Sequence, residues 1–168
     1  EKIMQRPRDP LNVTEMQMVC HFGSHVDAPC HFIPGAPAFH EIPLDRLCGP
    51  GVVWRLRCKP YEVIEPEILR QARPAARADD IVLLDTGWAR HIGTPLYDQH
   101  PCLSVAAAQW LVEQRIKMIG LDFMTPDLAV NRRPMEFDWP VHHVLLSRGI
   151  LIAENLTNLR RLSQRRIE

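Results

Sequence analysis

The sequence lacks the features that would assign it to several common protein classes. No run of about 18 apolar residues occurs, so no membrane-spanning helix is expected. Lysine and arginine together number 20, as do aspartate and glutamate, so no excess of positive charge favours binding to nucleic acid. The opening residues are polar and lack the apolar core of a signal peptide. We therefore expect a globular protein with neither a membrane nor a nucleic acid as its partner.

Cysteine is scarce and its pattern is uninformative about structure. The five cysteines form no Cys-x-x-Cys pair, and their number is odd. This pattern argues against both a disulfide framework and a zinc ribbon. A reducing cytoplasm fits it best. Cys20 and Cys30 each precede a histidine directly, and we expect both to be small buried residues.

The chain is divided into short elements by fifteen prolines, and no internal repeat is present. Apolar runs predict strands at 81–85 and 118–122, and between them Ser104 is the predicted N-cap of a helix at 105–115. Strand, helix and strand in this order indicate a parallel crossover. Further strands are predicted at 13–19, 51–58 and 150–156, and short helices at 66–77 and 142–149. The sequence therefore predicts an α/β fold with a mixed sheet.

Four metal-competent side chains fall within eleven residues, namely His21, His25, Asp27 and His31. All four positions are odd, and alternate residues of an extended chain share one face. A helix is a poor alternative, because Gly23 and Pro29 would interrupt it. A straight strand of this length would span about 33 Å. Ligands of one metal lie about 2.0–2.2 Å from it, so the segment has to curl.

This clustering favours a metal site, and the alternative is a set of unrelated histidines. Imidazole and carboxylate ligands suit Zn, Mn, Fe or Ni, and the lack of cysteine at these positions argues against a structural zinc finger. A second and weaker cluster consists of His142, His143 and Glu154, and taken alone it could be chance. Glu154 lies in an apolar run, where a buried carboxylate needs a partner such as a cation.

The stretch HFGSHVDAPCHF closely resembles the signature of the cyclase family of metal hydrolases, His-x-Gly-Thr-His-x-Asp-x-Pro-x-His-Phe, with Ser24 in place of the threonine. Further matches follow in order: DTGW (85–88), HPCLS (100–104), GLDFMTPD (120–127) and HHVLLSRGILIAENLTNL (142–159). This family includes bacterial kynurenine formamidases and isatin hydrolases. The resemblance implies a swivelling β/β/α arrangement around a mixed sheet, in one domain over residues 1–168. Family members usually extend further, so we expect this chain to lack parts of both termini.

The resemblance also implies a centre for one or two divalent ions. Residues matching His21, His25 and Asp27 hold one ion in the family, and residues matching Asp27, His142 and Glu154 hold a second. Zinc is the expected metal, with manganese as the alternative, and His31 is implied to be a proton shuttle. Neighbouring residues on a helix project about 100° apart, so we expect His142 rather than its neighbour to be the ligand.

The implied reaction is hydrolysis of an amide C–N bond in a small aromatic substrate such as N-formylkynurenine, by a metal-activated water. Candidates to line an aromatic pocket are Phe22, Phe32, Phe39, Trp54 and Trp88, with core packing as the alternative for each. Hydrolysis of a cyclic amide such as isatin is the alternative reaction. A metal-binding protein without turnover, or an assembly module without metal, is the alternative class. The resemblance further implies a homodimer or homotetramer.

Overall fold

The computed structural model describes all 168 residues and contains ten strands and three α-helices. The strands are β1 Lys2–Met4, β2 Val13–Thr14, β3 His25–Asp27, β4 Gly51–Arg55, β5 Val63–Ile64, β6 Ile81–Asp85, β7 Cys102–Leu103, β8 Met118–Leu121, β9 Leu151–Glu154 and β10 Arg165–Ile167. The α-helices are α1 Pro66–Gln71, α2 Val105–Glu113 and α3 Pro140–Leu146. Seven short 3₁₀ helices lie at Pro29–His31, Phe39–Glu41, Leu44–Arg46, Trp88–His91, Tyr97–Gln99, Val130–Arg132 and Leu159–Arg161.

Six strands form the central sheet, in the order β10, β4, β6, β8, β9 and β3. The four inner strands run parallel to one another, and β10 and β3 pair antiparallel at the two edges. Two smaller pairs, β1 with β2 and β5 with β7, lie outside this sheet. The predicted α/β fold with a mixed sheet is therefore confirmed.

The predicted crossover is present, since β6 and β8 are adjacent and parallel and α2 connects them. Ser104 is the N-cap of α2, where its hydroxyl accepts the N–H of Ala107 at 3.0 Å. This bond satisfies one of the N–H groups that the first helical turn leaves without a partner. The inner strands are apolar at nearly every position because both of their faces are buried.

Different elements pack against the two faces of the central sheet. Val82, Ile119 and Ile152 belong to the larger apolar core, together with residues of all three α-helices. Ile81 and Leu151 point to the opposite face, where partly buried residues of the 42–47 loop pack on them. Side chains alternate along a strand, so Glu154 lies on the same face as Ile152. Glu154 and helix α3 therefore lie on one side of the sheet.

Several predicted elements are shorter than the sequence pattern suggests. Of the strand predicted at 13–19, only β2 forms, and the apolar residues that follow it are exposed. The strand predicted at 51–58 ends at Arg55. The helix predicted at 66–77 ends at Gln71, because Pro74 lacks an N–H and disfavours helical geometry before it. Helix α3 begins at Pro140 rather than at residue 142, since proline suits the first helical turn.

Cys20 and Cys30 are exposed, so the prediction that both are buried is wrong. Cys20 lies in a bend before β3 and Cys30 in the 3₁₀ helix Pro29–His31, each directly before a motif histidine. None of the helices combines the length and apolar character needed to cross a membrane.

Candidate metal centre

The first motif forms a curled segment at one edge of the central sheet. His25 and Asp27 lie on β3, where His25 pairs with Glu154 and Asp27 pairs with Ile152 of β9. Directly opposed residues of antiparallel strands point to the same face with their Cβ atoms about 4.5–5.5 Å apart. A turn at Gly23, whose φ is +65°, and the 3₁₀ helix after β3 fold the flanking chain back. The curl that the histidine spacing requires is therefore present.

The carboxylate of Asp27 is the point on which the other side chains converge. Its Oδ1 atom lies 2.8 Å from Nδ1 of His21 and 3.3 Å from Nε2 of His25. Its Oδ2 atom lies 3.5 Å from Nε2 of His142, on α3. Glu154 lies 3.5 Å from His25 Nε2 through Oε2 and 3.4 Å from His142 Nε2 through Oε1. The structure thus brings together all five side chains that the sequence singles out as metal ligands.

Hydrogen bonds on the far side of each ring orient two of these imidazoles. Nδ1 of His25 lies 2.8 Å from the carbonyl oxygen of Gly23, and Nδ1 of His142 lies 2.6 Å from Oδ2 of Asp127. When each Nδ1–H donates to its oxygen, each Nε2 keeps a lone pair directed at Asp27 and Glu154. Such bonds commonly set the tautomer and orientation of metal-bound histidines.

Asp127, which was not among the site residues predicted from the sequence, also fixes the start of helix α3. Its carboxylate accepts the backbone N–H groups of Val141 at 3.0 Å and His142 at 3.1 Å. One buried side chain therefore satisfies the first turn of α3 and orients the imidazole that the helix carries. The only signal in the sequence was its place at the end of GLDFMTPD, because no spacing rule connects it to His142.

Several buried polar atoms at this point of convergence have no hydrogen-bond partner. They are His25 Nε2, both carboxylate oxygens of Asp27, and Glu154 Oε1. Each such atom costs about 1–3 kcal/mol when it is left unsatisfied, and more when it is charged. A cation among them would satisfy all of these lone pairs at once. The mixed nitrogen and oxygen donors suit Zn²⁺ or Mn²⁺.

Two sets of three side chains have the spacing of metal ligands. Nitrogen or oxygen atoms of His21, Asp27 and His31 all lie within 4.8 Å of one another, and so do those of His25, Asp27 and Glu154. Asp27 belongs to both sets because its two oxygens face different neighbours. The arrangement has donors enough for one or for two ions.

The titration of these groups reflects their burial and their mutual charges. Burial opposes charge on His142, but the hydrogen bond to Asp127 and the nearby carboxylates of Asp27 and Glu154 outweigh it and raise its pKa to about 10. Burial alone would raise the pKa of Asp27, but the close contact with His142 and the charges of the neighbouring histidines bring it below its usual value. Burial, aided by the charge of Asp27, raises the pKa of Glu154. Without a metal, His142 therefore holds the positive charge, and a metal ion at its Nε2 would displace a proton.

His31 and His143 lie at the margin of the centre. The His31 ring is exposed and stacks on His21, with their centroids 3.8 Å apart. Partial burial and the neighbouring histidines lower its pKa, which favours the neutral imidazole. The His143 ring packs on Phe32, and its Nε2 lies 3.5 Å from the exposed Asp138 rather than near the central carboxylates.

A cavity of about 230 Å³ opens onto the centre. Of the five aromatic candidates only Phe32 lines it, while Trp54 and Trp88 are buried in the apolar core and Phe22 and Phe39 are exposed. Further lining residues, not predicted from the sequence, are Thr125, Arg133, Trp139 and Asn155. The alternative of core packing is therefore correct for the two tryptophans.

Comparison with known proteins identifies the family. Residues 2–128 match the family model Cyclase. The chain belongs to this family of metal-dependent hydrolases. It is 36% identical over 155 residues to kynurenine formamidase of Bordetella petrii. The match covers 89% of this chain and 68% of that protein. It is 30% identical over 152 residues to kynurenine formamidase of Bordetella pertussis, with the same coverage.

Solved structures of cyclase-fold proteins agree with the fold. Isatin hydrolase A from Ralstonia solanacearum gives a TM-score of 0.81 at 21% identity, over 98% of this chain and 71% of that one. A protein described as a predicted metal-dependent hydrolase from Bacillus stearothermophilus gives a TM-score of 0.75 at 24% identity. This match covers 99% of this chain and 74% of that one. The chain thus spans roughly two thirds of the length of its relatives. The family, the fold and the amidohydrolase class predicted from the sequence are confirmed.

Replacing Asp127 with asparagine should weaken binding of a divalent cation by about 10- to 100-fold, because the His142 ring loses the carboxylate that orients it. Isothermal titration of the chelator-treated protein with Zn²⁺ measures this change. Asp138→Asn is the matched control, since this exposed carboxylate lies beside His143 and contacts none of the convergent atoms. Equal affinities for the two variants would contradict the role assigned to Asp127.

Proposed function

We propose that this protein hydrolyses the formamide C–N bond of an aryl formamide similar to N-formylkynurenine, at a divalent metal centre. The observation that carries the proposal is the group of buried, unpartnered nitrogen and oxygen atoms around Asp27, at the base of a cavity. Identity of 36% to a kynurenine formamidase supports the choice of a formamide as substrate.

The proposed ligands divide into two sets that share Asp27. His21, His25 and Asp27 would hold one ion, and Asp27, His142 and Glu154 would hold a second. Zn²⁺ is the first candidate and Mn²⁺ the second, since both accept imidazole and carboxylate ligands. When bound, such an ion polarises a carbonyl and lowers the pKa of water from 15.7 to about 7.

His31 is the proposed proton carrier of the reaction. Its ring stacks on His21 at the margin of the cavity, and its side chain makes no hydrogen bond within the protein. A neutral imidazole there accepts a proton from the water that attacks the formyl carbon, and then donates it to the departing amine nitrogen. The C–N bond breaks, and the products are formate and the aryl amine. Phe32 and Trp139 line the same cavity and offer apolar surface to the aromatic ring.

The open side of the centre favours catalysis over metal storage or a structural role. Structural zinc sites are closed by four protein ligands, whereas catalytic sites keep one position for water or substrate. The side chain of His21 is 43% exposed and lines the cavity, so the centre is accessible from that direction. Hydrolysis of a cyclic amide has weaker support, because the likeness to isatin hydrolase at 21% identity concerns the fold alone.

Metal analysis of the purified protein, combined with hydrolysis assays, tests this proposal. We expect one or two zinc or manganese ions per chain, and release of formate from N-formylkynurenine that stops on chelation and returns when metal is added. Isatin serves as the competing substrate. Full activity in metal-free protein would contradict the metal centre, and turnover of isatin without turnover of the formamide would favour the alternative reaction.

The variant His31→Ala should lower kcat by about 10²–10⁴-fold while metal content stays close to that of the wild type, because a positioned acid–base group contributes this much. Metal content by mass spectrometry and kcat on N-formylkynurenine are measured on the same preparation. His40→Ala is the control, since this exposed histidine lies outside the cavity. A parallel loss of metal and activity would instead make His31 a ligand.

A further inference from the structure

Arg133 is the only lysine or arginine that lines the metal cavity. It follows the 3₁₀ helix Val130–Arg132 in the segment between β8 and α3. Its Nε–H donates to the carbonyl oxygen of Leu128 at 2.8 Å, which fixes the plane of the guanidinium group. The rings of Phe137 and Trp139 each lie with their centroids 5.4 Å from its Cζ atom, within the range of a cation–π contact.

The remaining donors of this guanidinium group have no partner within the protein. No hydrogen bond involves either Nη atom of Arg133, whereas Arg70, Arg160 and Arg166 form ion pairs elsewhere. No carboxylate oxygen lies within 4.0 Å of Arg133, although the side chain is half-buried. A guanidinium group that is held in place and has two free Nη groups is suited to bind a carboxylate through two parallel hydrogen bonds.

Apart from the histidines, the other ionisable side chains at the cavity are carboxylates. Asp27 and Glu154 carry the two carboxylates of the cavity, and Asp127 lies directly behind His142. In the proposed holoenzyme the metal ions offset the carboxylates of Asp27 and Glu154, so Arg133 remains as the lining cation that can pair with a carboxylate of the substrate. Phe32 and Trp139, with ring centroids 5.9 Å apart, lie in the same cavity and offer surface to an aromatic ring.

We propose that Arg133 binds a carboxylate on the side chain of the substrate, so that the preferred substrates are aryl formamides that bear such a group. This proposal rests on the proposed function, which places the formyl group at the metal centre. Arg133 then determines specificity, because it binds a part of the substrate that does not react. A group that stabilises the developing negative charge on the formyl oxygen would instead affect every formamide alike.

The variant Arg133→Gln tests the proposal with three substrates: N-formylkynurenine, its methyl ester and formanilide. We expect kcat/KM for N-formylkynurenine to fall by about 10- to 100-fold, mainly through KM, as for loss of a hydrogen bond to a charged group. The two substrates without a carboxylate should change little. Arg133→Lys keeps the charge but not the paired donors, and should give an intermediate loss on N-formylkynurenine alone.

Arg132→Gln is the matched control. This neighbouring arginine is exposed, stacks over the ring of Tyr61 at 4.3 Å, and lines a different cavity. The substitution removes the same charge one residue away, and kcat/KM for all three substrates should stay unchanged. Circular dichroism and thermal unfolding establish that each variant is folded before the kinetics are compared.

Binding of the product provides a readout that does not depend on turnover. By calorimetry the wild type should bind kynurenine more tightly than its methyl ester, and Arg133→Gln should remove this difference. An equal loss on all three substrates, or unchanged preference for the carboxylate in Arg133→Gln, would overturn the proposal. If the wild type cleaves none of the formamides, the proposed function fails, whereas the binding comparison still decides whether Arg133 recognises a carboxylate.

Discussion

The buried carboxylate of Asp27 imposes the constraint on which the organisation of the site depends. It is 1% exposed, its two oxygens lack hydrogen-bond partners, and three imidazoles approach it within 3.5 Å. Removing one partner of a buried charge pair typically costs about 3–5 kcal/mol, so such a group persists only where opposite charge surrounds it. In the absence of metal the protonated His142 supplies that charge, and in the proposed holoenzyme the metal ions do so.

The fold brings these groups together from two distant parts of the chain, around β3 and from α3 to β9. The edge strand β3 contributes His25 and Asp27, its neighbour β9 contributes Glu154 directly opposite, and α3 lies over the same face with His142. Asp127 links this helix to the centre because it binds both the first backbone N–H groups of α3 and the His142 ring. Helix position and ligand orientation therefore depend on the same side chain, which couples local stability to the function of the site.

Local patterns in the sequence were enough to predict the centre of the fold and the core of the site. Residues 81–85 form a strand as expected because an apolar run of that length can be buried on both faces of a parallel sheet. The common parity of the motif histidines, with Gly23 between them, indicated a curled extended segment, and the resemblance to the cyclase family added His142 and Glu154. The strand predicted over residues 13–19 does not extend beyond β2, because no sheet covers the apolar side chains that follow it.

The residues that sequence reasoning missed lie mainly in one segment without periodicity. Asp127, Arg133 and Trp139 all precede α3, in a loop whose path depends on packing against distant elements. Trp139 has a φ of +39°, a conformation that no pattern of a non-glycine residue predicts. The specificity that we assign to Arg133 therefore depends on tertiary structure, whereas the metal ligands belong to recognisable motifs.

The most direct test of this account is the effect of metal on thermal stability in the wild type and in Asp27→Asn. Chelator-treated wild type should gain about 2.7 kcal/mol of unfolding free energy when Zn²⁺ or Mn²⁺ is present at a hundred times its dissociation constant. The variant should gain little at the same concentration, because it lacks the carboxylate that both proposed ligand sets share and that lies within 3.5 Å of His21, His25 and His142. An equal gain in the two proteins would show that the metal binds elsewhere and would contradict the central role of Asp27.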